Sequence, residues 1–405
     1  MRDSVVYFDN INTTFPHPDV VSIVETALKS AMGNPSSHIH SYGIAASRII
    51  DESRERVASF VNSRQDEIIF TSGATESNNI AIAGFLNANP KIHLAVSCIE
   101  HFSILNQAKK FGRLGRKVSF IDVDNFGRLD LSHLERVLEL GPTLVSVAYA
   151  NPEIGTVQDV ESIGRCVHRY GAIFHCDATA AASTQSLDVE KLNIDLLTLS
   201  GHNMYGVPGT GALYINAGTK MAPLFDGGNQ EFGIRPGTEN IMGIAAIGKA
   251  CEIVKANRIG WNEKLRKLGR QLRDEFAQNV PFIHFTGHPE QRLPGHISFW
   301  IEHIEGESLL LLLNMNNVMA ASGSACSSNL KGVDEHDLVA SHVLSAVGVP
   351  SDICAGSLTF SLGWYSSLDE VTRVSNLLPQ IVQKLLAMSP SYSDYMKSKE
   401  ALRGK

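Results

Sequence analysis

The stretch IIFTSGATESNNIAI, residues 68–82, passes from a short apolar run through a glycine into a polar segment with helical spacing. A strand, a glycine turn and a helix in that order place the small residues at the carboxyl edge of a sheet. Open α/β sheets bind their ligands there. Backbone amides at the helix start, around Gly73 and Ala74, together with the Thr75 hydroxyl, would cradle a phosphate. An ordinary strand-to-helix turn has the same outline, so the segment alone leaves both readings open.

Working outward, the same alternation recurs. EIIFTS (67–72), HLAVSC (93–98), KVSFIDV (117–123), TLVSVAYA (143–150), IFHCD (173–177), LLTLS (196–200) and GALYI (211–215) read as strands. Helical spacing lies between them, as in ASRIIDESRERVASFV (46–61) and VESIGRCVHRYG (160–171). Alternation of this kind is the mark of an α/β fold. Two more strand ends carry polar groups. In IFHCDATAA (173–181) Asp177 closes a buried strand, where it can pair with a protonated ring nitrogen or cap a helix. LTLSGHNMYGVPGTGALYI (197–215) offers Ser200 and His202 in a glycine-flanked turn.

Beyond residue 255 the pattern changes. NEKLRKLGRQLRDEFAQ (262–278) reads as an amphipathic helix, HISFWI (296–301) as a strand, and ESLLLLLNM (307–315) and DEVTRVSNLLPQIVQKLLAM (369–388) as helices. The expected organisation is a segment 1–14 packing with a small domain, a large domain 15–255, that small domain at 256–390, and a fraying polar tail, 391–405.

Hydrophobic residues make up 43 % of the 405 and charged residues 19 %, a balance that excludes a disordered chain. With 35 Lys+Arg against 42 Asp+Glu and no dense basic block, nucleic acid is not the expected ligand. No apolar run approaches the ~20 residues of a membrane helix, and the N-terminus lacks the apolar core of a signal peptide, so a cytoplasmic location is expected. Six cysteines are scattered without a CxxC pair, which is neither a disulfide framework nor a zinc site. Cys326 stands apart, in SGSACSS (322–328).

Taken in order, these segments resemble the cysteine desulfurases, in the class V aminotransferase group of pyridoxal-phosphate enzymes. The likeness runs from YFDN (7–10) to FSLG (360–363) through GNPSSHIHSYG (33–43), FTSGATESNN (70–79), EH (100–101), GT.Q (155–158), HCDAT (175–179), SGH (200–202), RPGTEN (235–240) and SGSACSS. It implies the PLP-dependent transferase fold type I, an α/β fold with a large domain on a mostly parallel central sheet plus a smaller α+β C-terminal domain. By the resemblance, Gly73, Ala74, Thr75, Ser200 and His202 would bind the cofactor phosphate, joined by Thr238 from the other subunit of a homodimer. Asp177 would hold the pyridine nitrogen and His101 would stack on the ring. Cys326 would be the sulfur-accepting thiolate, and a glycine- and serine-rich loop suits a thiol that reaches in and swings out.

One position breaks the pattern. The family's Schiff-base lysine follows SGH directly; here it is Asn203, and an amide cannot make that bond. Lys191 and Lys220 do not occupy the motif position. Three further positions agree: Pro152 and Ala180 replace an asparagine and a glutamine that contact the ring oxygen, and Thr359 replaces the arginine that grips the substrate carboxylate. Losing a bidentate arginine removes about 1.5–3 kcal/mol of contact. The chain most resembles a lysine-less branch of the family. The stretch SSNLKGVDEHDLVA (327–340) after Cys326 is also longer than in compact members, and its acids and His336 read as a solvated turn, with a metal or partner contact as the alternative.

Three functions compete. The first is a sulfur-transfer or iron–sulfur assembly protein docking on a scaffold protein, with Cys326 carrying a persulfide or ligating a nascent iron–sulfur cluster. The second is an enzyme that binds pyridoxal or pyridoxamine phosphate noncovalently, with His101 as the catalytic base on another amine. The third is a non-catalytic dimer partner.

Overall fold

The computed structural model describes residues 5–30, 33–322, 341–350 and 357–403. Its strands, in chain order, are β1 (Val6–Tyr7), β2 (Ile68–Thr71), β3 (His93–Ser97), β4 (Val118–Ile121), β5 (Thr143–Ala148), β6 (Ile173–Asp177), β7 (Leu196–Ser200), β8 (Gly211–Ile215), β9 (Ile283–Phe285), β10 (His296–Ile301), β11 (Val318–Met319), β12 (Ala321–Ser322) and β13 (Ser357–Ser361). The seven expected strands of the first half form one sheet in the order β2-β8-β7-β6-β5-β3-β4. All its pairings are parallel except those of β8, which runs antiparallel to both neighbours. Every residue of β2, β3 and β7 is buried, as expected of strands covered on both faces, and this explains why they read as mostly apolar rather than alternating runs.

Register sets the ligand edge. Thr71 pairs with Gly211, and Gly211 with Ser200, so the ends of β2 and β7 lie level across β8. A side chain at position 211 would place its Cβ 2.7 Å from both Gly73 Cα and Thr71 Oγ1. Only glycine permits that approach. On the neighbouring strand Asp177 pairs with Thr198, which puts the carboxylate at the same edge.

The second half builds a four-stranded sheet, β12-β13-β10-β9, whose inner face carries Phe299 and Phe360 against Phe8 and Phe276. β1 pairs with β11, and Val6 and Phe8 lie in this second core. The helix foreseen at 262–278 is the end of a much longer one, Ile241–Asn279, which runs unbroken across residue 255. Ile244, Ile247 and Cys251 in its first half enter the large core, while Leu265, Leu272 and Phe276 enter the smaller. Within it Gly248 packs on Ser53 and Gly269 on Gly295, close approaches that a side chain would disturb.

The tail corrects an expectation. Pro390–Arg403 is helical rather than frayed. Pro390 suits a first helical position, and Ser389 Oγ accepts a hydrogen bond from the Tyr392 amide at 3.3 Å. The Tyr392 and Tyr395 rings then pack 5.8 and 5.6 Å from Phe282. Those contacts join residues over a hundred positions apart, which local composition does not reveal.

Under the large sheet lies a buried ion pair. Arg54 donates to both Glu231 oxygens, at 2.9 and 2.7 Å, and to the Ile68 carbonyl. The Phe70 amide donates to Glu231 Oε2 at 2.7 Å, so the pair pins the edge strand β2.

Candidate active site

Gly73 precedes the helix Ala74–Asn79 with φ +149°, ψ −176°, a region open essentially to glycine alone. The turn it makes is closed from within: the Ser72 amide donates to Glu76 Oε2 at 2.5 Å, and Arg235 Nε donates to Glu76 Oε1 at 3.0 Å. Burial pushes the Glu76 carboxyl up, but the bonds from Ser72 and Arg235 outweigh it and hold it below its ordinary value. Ala74 is half-buried and Thr75, in the first turn, is exposed. Across β8, Ser200 is fully buried and its hydroxyl has no hydrogen-bond partner among the described residues. His202 follows in a short 3-10 turn, half-buried, its Nδ1 3.2 Å from Thr13 Oγ1, and burial lowers its pKa. Thr238 is exposed, in the stretch leading to the helix at Ile241.

The ring-binding candidates form one network. Asp177 is 6 % exposed; its Oδ1 accepts from the Thr179 amide at 2.9 Å and its Oδ2 from Asn78 Nδ2 at 2.8 Å. The same Asn78 amide donates to Ser103 Oγ at 2.9 Å, and Ser103 Oγ lies 2.8 Å from His101 Nδ1. The Ser103 backbone amide also donates to Nδ1, at 3.1 Å. A nitrogen that accepts from a backbone N–H carries no proton, so neutral His101 holds its proton on Nε2 and presents a donor. His101 is exposed and caps the helix Phe102–Arg113. Beneath it Glu100 is buried, one oxygen accepting from the Ala148 amide, and burial with nearby Asp177 raises its pKa well above the carboxylate range. The roles of Asn78, Ser103 and Glu100 are not visible in the motifs that contain or flank them. Asn78 lies within the quoted SGATESNN run, but its partner is 99 residues away.

The altered positions cluster beside this network. Asn203 is 8 % exposed; its Nδ2 donates to the Ile11 carbonyl at 2.9 Å and the Asn12 carbonyl at 3.4 Å. The side chain at position 203 thus ties down the N-terminal segment. Lys191 and Lys220 are both exposed. Thr359 is 2 % exposed and spends its hydroxyl on the Glu153 carbonyl, at 3.1 Å. Pro152 offers its carbonyl to His296 Nε2 at 2.9 Å, and burial drives the His296 pKa down to about 3.

Glu153, between these groups, has a buried Oε1 without a hydrogen-bond partner among the described residues, and burial pushes its carboxyl up to about 8 against a bond with Ser341 that lowers it. A carboxyl that stays protonated when folded binds more protons than the unfolded chain between its ordinary value of 4.5 and about 8. Stability from this group therefore falls as pH rises through that window, by on the order of 5 kcal/mol in total. Glu153→Gln is expected to be more stable than the parent at pH 8 in urea unfolding, with the difference closing toward pH 5. A difference independent of pH would contradict the buried acid.

Cys326, expected to be the sulfur acceptor or cluster ligand, lies outside the described residues, as do Asp334, Glu335, His336 and Asp337. Among the described residues no group of three or more His, Cys, Asp or Glu is arranged to hold a metal ion. Cys98, Cys166, Cys176 and Cys251 are free thiols, and burial raises the pKa of each. A pyridoxal-type cofactor fits on the phosphate and ring-nitrogen sides: the unpartnered Ser200 hydroxyl, the Gly73 turn and the Asn78-held Asp177 carboxylate face its needs. On the aldehyde side, Asn203 provides no amine.

Residues 6–374 match the Aminotransferase class-V family model. The chain is 40 % identical over 391 residues to cysteine desulfurase IscS 1 of Archaeoglobus fulgidus, covering 95 % of this chain and 99 % of that one. It is 41 % identical to cysteine desulfurase IscS of Methanosarcina thermophila, covering 96 % and 95 %. Among solved structures a NifS-like protein superposes with a TM-score of 0.86 at 30 % identity, covering 94 % of this chain and 99 % of that one. An apo cysteine desulfurase from Thermococcus onnurineus NA1 gives 0.83 at 25 % identity, covering 94 % and 95 %. With this sheet order, this site edge and these relatives, the chain belongs to the cysteine desulfurase family of class-V aminotransferases, whose members use pyridoxal phosphate.

Proposed function

We propose that the protein works in sulfur transfer for iron–sulfur cluster assembly without acting as an ordinary cysteine desulfurase. The observation that carries this is Asn203. Its amide is buried and bonded to the Ile11 and Asn12 carbonyls, so no amine stands where the family's lysine would hold the cofactor and move protons. Thr359, its hydroxyl spent on Glu153, leaves no cation at the position of the substrate-carboxylate arginine.

In this reading Ser200, His202, Thr75 and the amides after Gly73 hold the cofactor phosphate, with Thr238 coming from the partner subunit of a homodimer. Asp177 holds the ring nitrogen, and the cofactor is bound noncovalently. When bound, pyridoxal phosphate supplies an electron sink. His101 stacks on the ring as a hydrogen-bond donor, because Ser103 occupies its Nδ1 lone pair. Cys326 takes up sulfur already at the sulfane level, or ligates iron directly when sulfide is the source, and passes its cargo to a scaffold protein. The names of the IscS relatives support a place in this chemistry.

The test is anaerobic reconstitution with iron, sulfide and a scaffold protein. The parent is expected to speed cluster formation and Cys326→Ala to reduce the rate to that of the scaffold alone. Equal rates for the two would overturn the role of Cys326. The second reading, turnover of another amine on noncovalent cofactor, is favoured by one observation, the Asp177 carboxylate held ready by Asn78. Release of product from any amine would favour it instead.

A further inference from the structure

Asn203 does more than leave out a lysine. Its two Nδ2 hydrogens point to the Ile11 and Asn12 carbonyls, at 2.9 and 3.4 Å, which fixes the rotation of the amide. The remaining atom, Oδ1, is buried and has no partner among the described residues. The Thr179 hydroxyl is likewise buried without a partner. Both residues line one cavity of about 30 Å³, with Ala180 and His296 on its wall. The Thr179 amide bonds Asp177 Oδ1 at 2.9 Å, so this cavity lies beside the carboxylate placed to hold the ring nitrogen.

A buried amide oxygen wants a donor, and leaving it unmatched is costly. The group that the family's lysine meets is the cofactor's aldehyde carbon substituent. An aldehyde oxygen only accepts hydrogen bonds, so beside Oδ1 two oxygens would meet with no proton between them. An amine offers the hydrogen that Oδ1 lacks, while the Thr179 hydroxyl, donor and acceptor both, can match either form, and the cavity has room for a group of that size. We propose that Asn203 makes this site selective for the amine form of the cofactor, pyridoxamine phosphate, over the aldehyde form. This rests on the reading that the cofactor is bound noncovalently.

The test is calorimetric titration of the cofactor-free protein with pyridoxamine 5′-phosphate and, separately, pyridoxal 5′-phosphate. The amine form is expected to bind about tenfold tighter or more, the size of one hydrogen bond to a charged donor. Asn203→Leu, which removes the acceptor at similar volume, is expected to bring the two affinities together. If that variant does not fold, Asn203→Ala takes its place, with the same narrowing expected. Equal binding by the parent, or tighter binding of the aldehyde form, would overturn the inference while leaving the noncovalent reading in place. A preference that survives in Asn203→Leu would overturn the role of Asn203. Binding of neither form would overturn both the inference and the reading beneath it.

Discussion

Asn203→Lys is expected to turn a cofactor that desalting removes into one that stays with the protein, without restoring sulfide release from cysteine. Position 203 sits on a short turn directly after a buried strand: Ser200 ends β7 and the chain turns through Gly201–Asn203. A lysine there would reach the aldehyde side of the site, and the phosphate cup would bring the cofactor to it. The substitution gives up the bonds to Ile11 and Asn12, each about 1 kcal/mol, which the surrounding core tolerates. Turnover has further requirements. In the proposed reading Thr359 still offers no cation for a substrate carboxylate, and Pro152 and Ala180 still bring no side-chain donor for the ring oxygen. Mass spectrometry after borohydride reduction checks the first half, and a sulfide assay the second. Cysteine turnover by the single variant would show that Thr359 is no obstacle, and loss of cofactor on desalting would contradict the placement of position 203.

Arg54→Met is expected to carry the largest stability loss, about 3–5 kcal/mol. Glu231 is 2 % exposed at its side chain and Arg54 10 %, so removing the cation leaves a carboxylate buried without its partner. The guanidinium also lies 4.8 Å from the Phe70 ring centroid and bonds the Ile68 carbonyl, so β2 loses support along its length. Since β2 leads into the Gly73 turn, cofactor affinity should fall with stability. Urea unfolding of parent and variant checks this. The double replacement Arg54→Met with Glu231→Leu is expected to recover much of the loss, because no charge is then stranded. A loss under 1 kcal/mol in the single variant would mean that the pair is screened by water.

Much of this architecture is legible in the sequence. Strands β6, β7 and β8 match their expected bounds because their buried runs end sharply at Asp177, Ser200 and Ile215, where polar groups or turns begin. The helix across residue 255 was harder to read: its two halves face different cores, so its apolar stripe shifts partway and only the second half shows clean periodicity. The tail helix packs Tyr392 and Tyr395 on Phe282 and on the His303 ring, 5.9 and 5.2 Å away, both distant in sequence. Within the site, strand-end residues such as Asp177 and Ser200 carried a local signal. Asn78, Ser103 and Glu153 did not, since each matters through a partner or a burial that only the fold creates. The direction of the Asn203 amide, and therefore the acceptor it turns inward, is a property of the packed N-terminal segment.

The central claim is that the loss of lysine at position 203 ends ordinary desulfuration. It is tested most directly by an absorbance spectrum of the purified protein with added pyridoxal phosphate, before and after cysteine, with sulfide release measured in the same sample. The prediction is a spectrum of free, dialysable cofactor and no sulfide above the level given by pyridoxal phosphate alone. A spectrum of covalently held cofactor together with catalytic sulfide release would contradict it, and would make this protein a working desulfurase without the family's lysine.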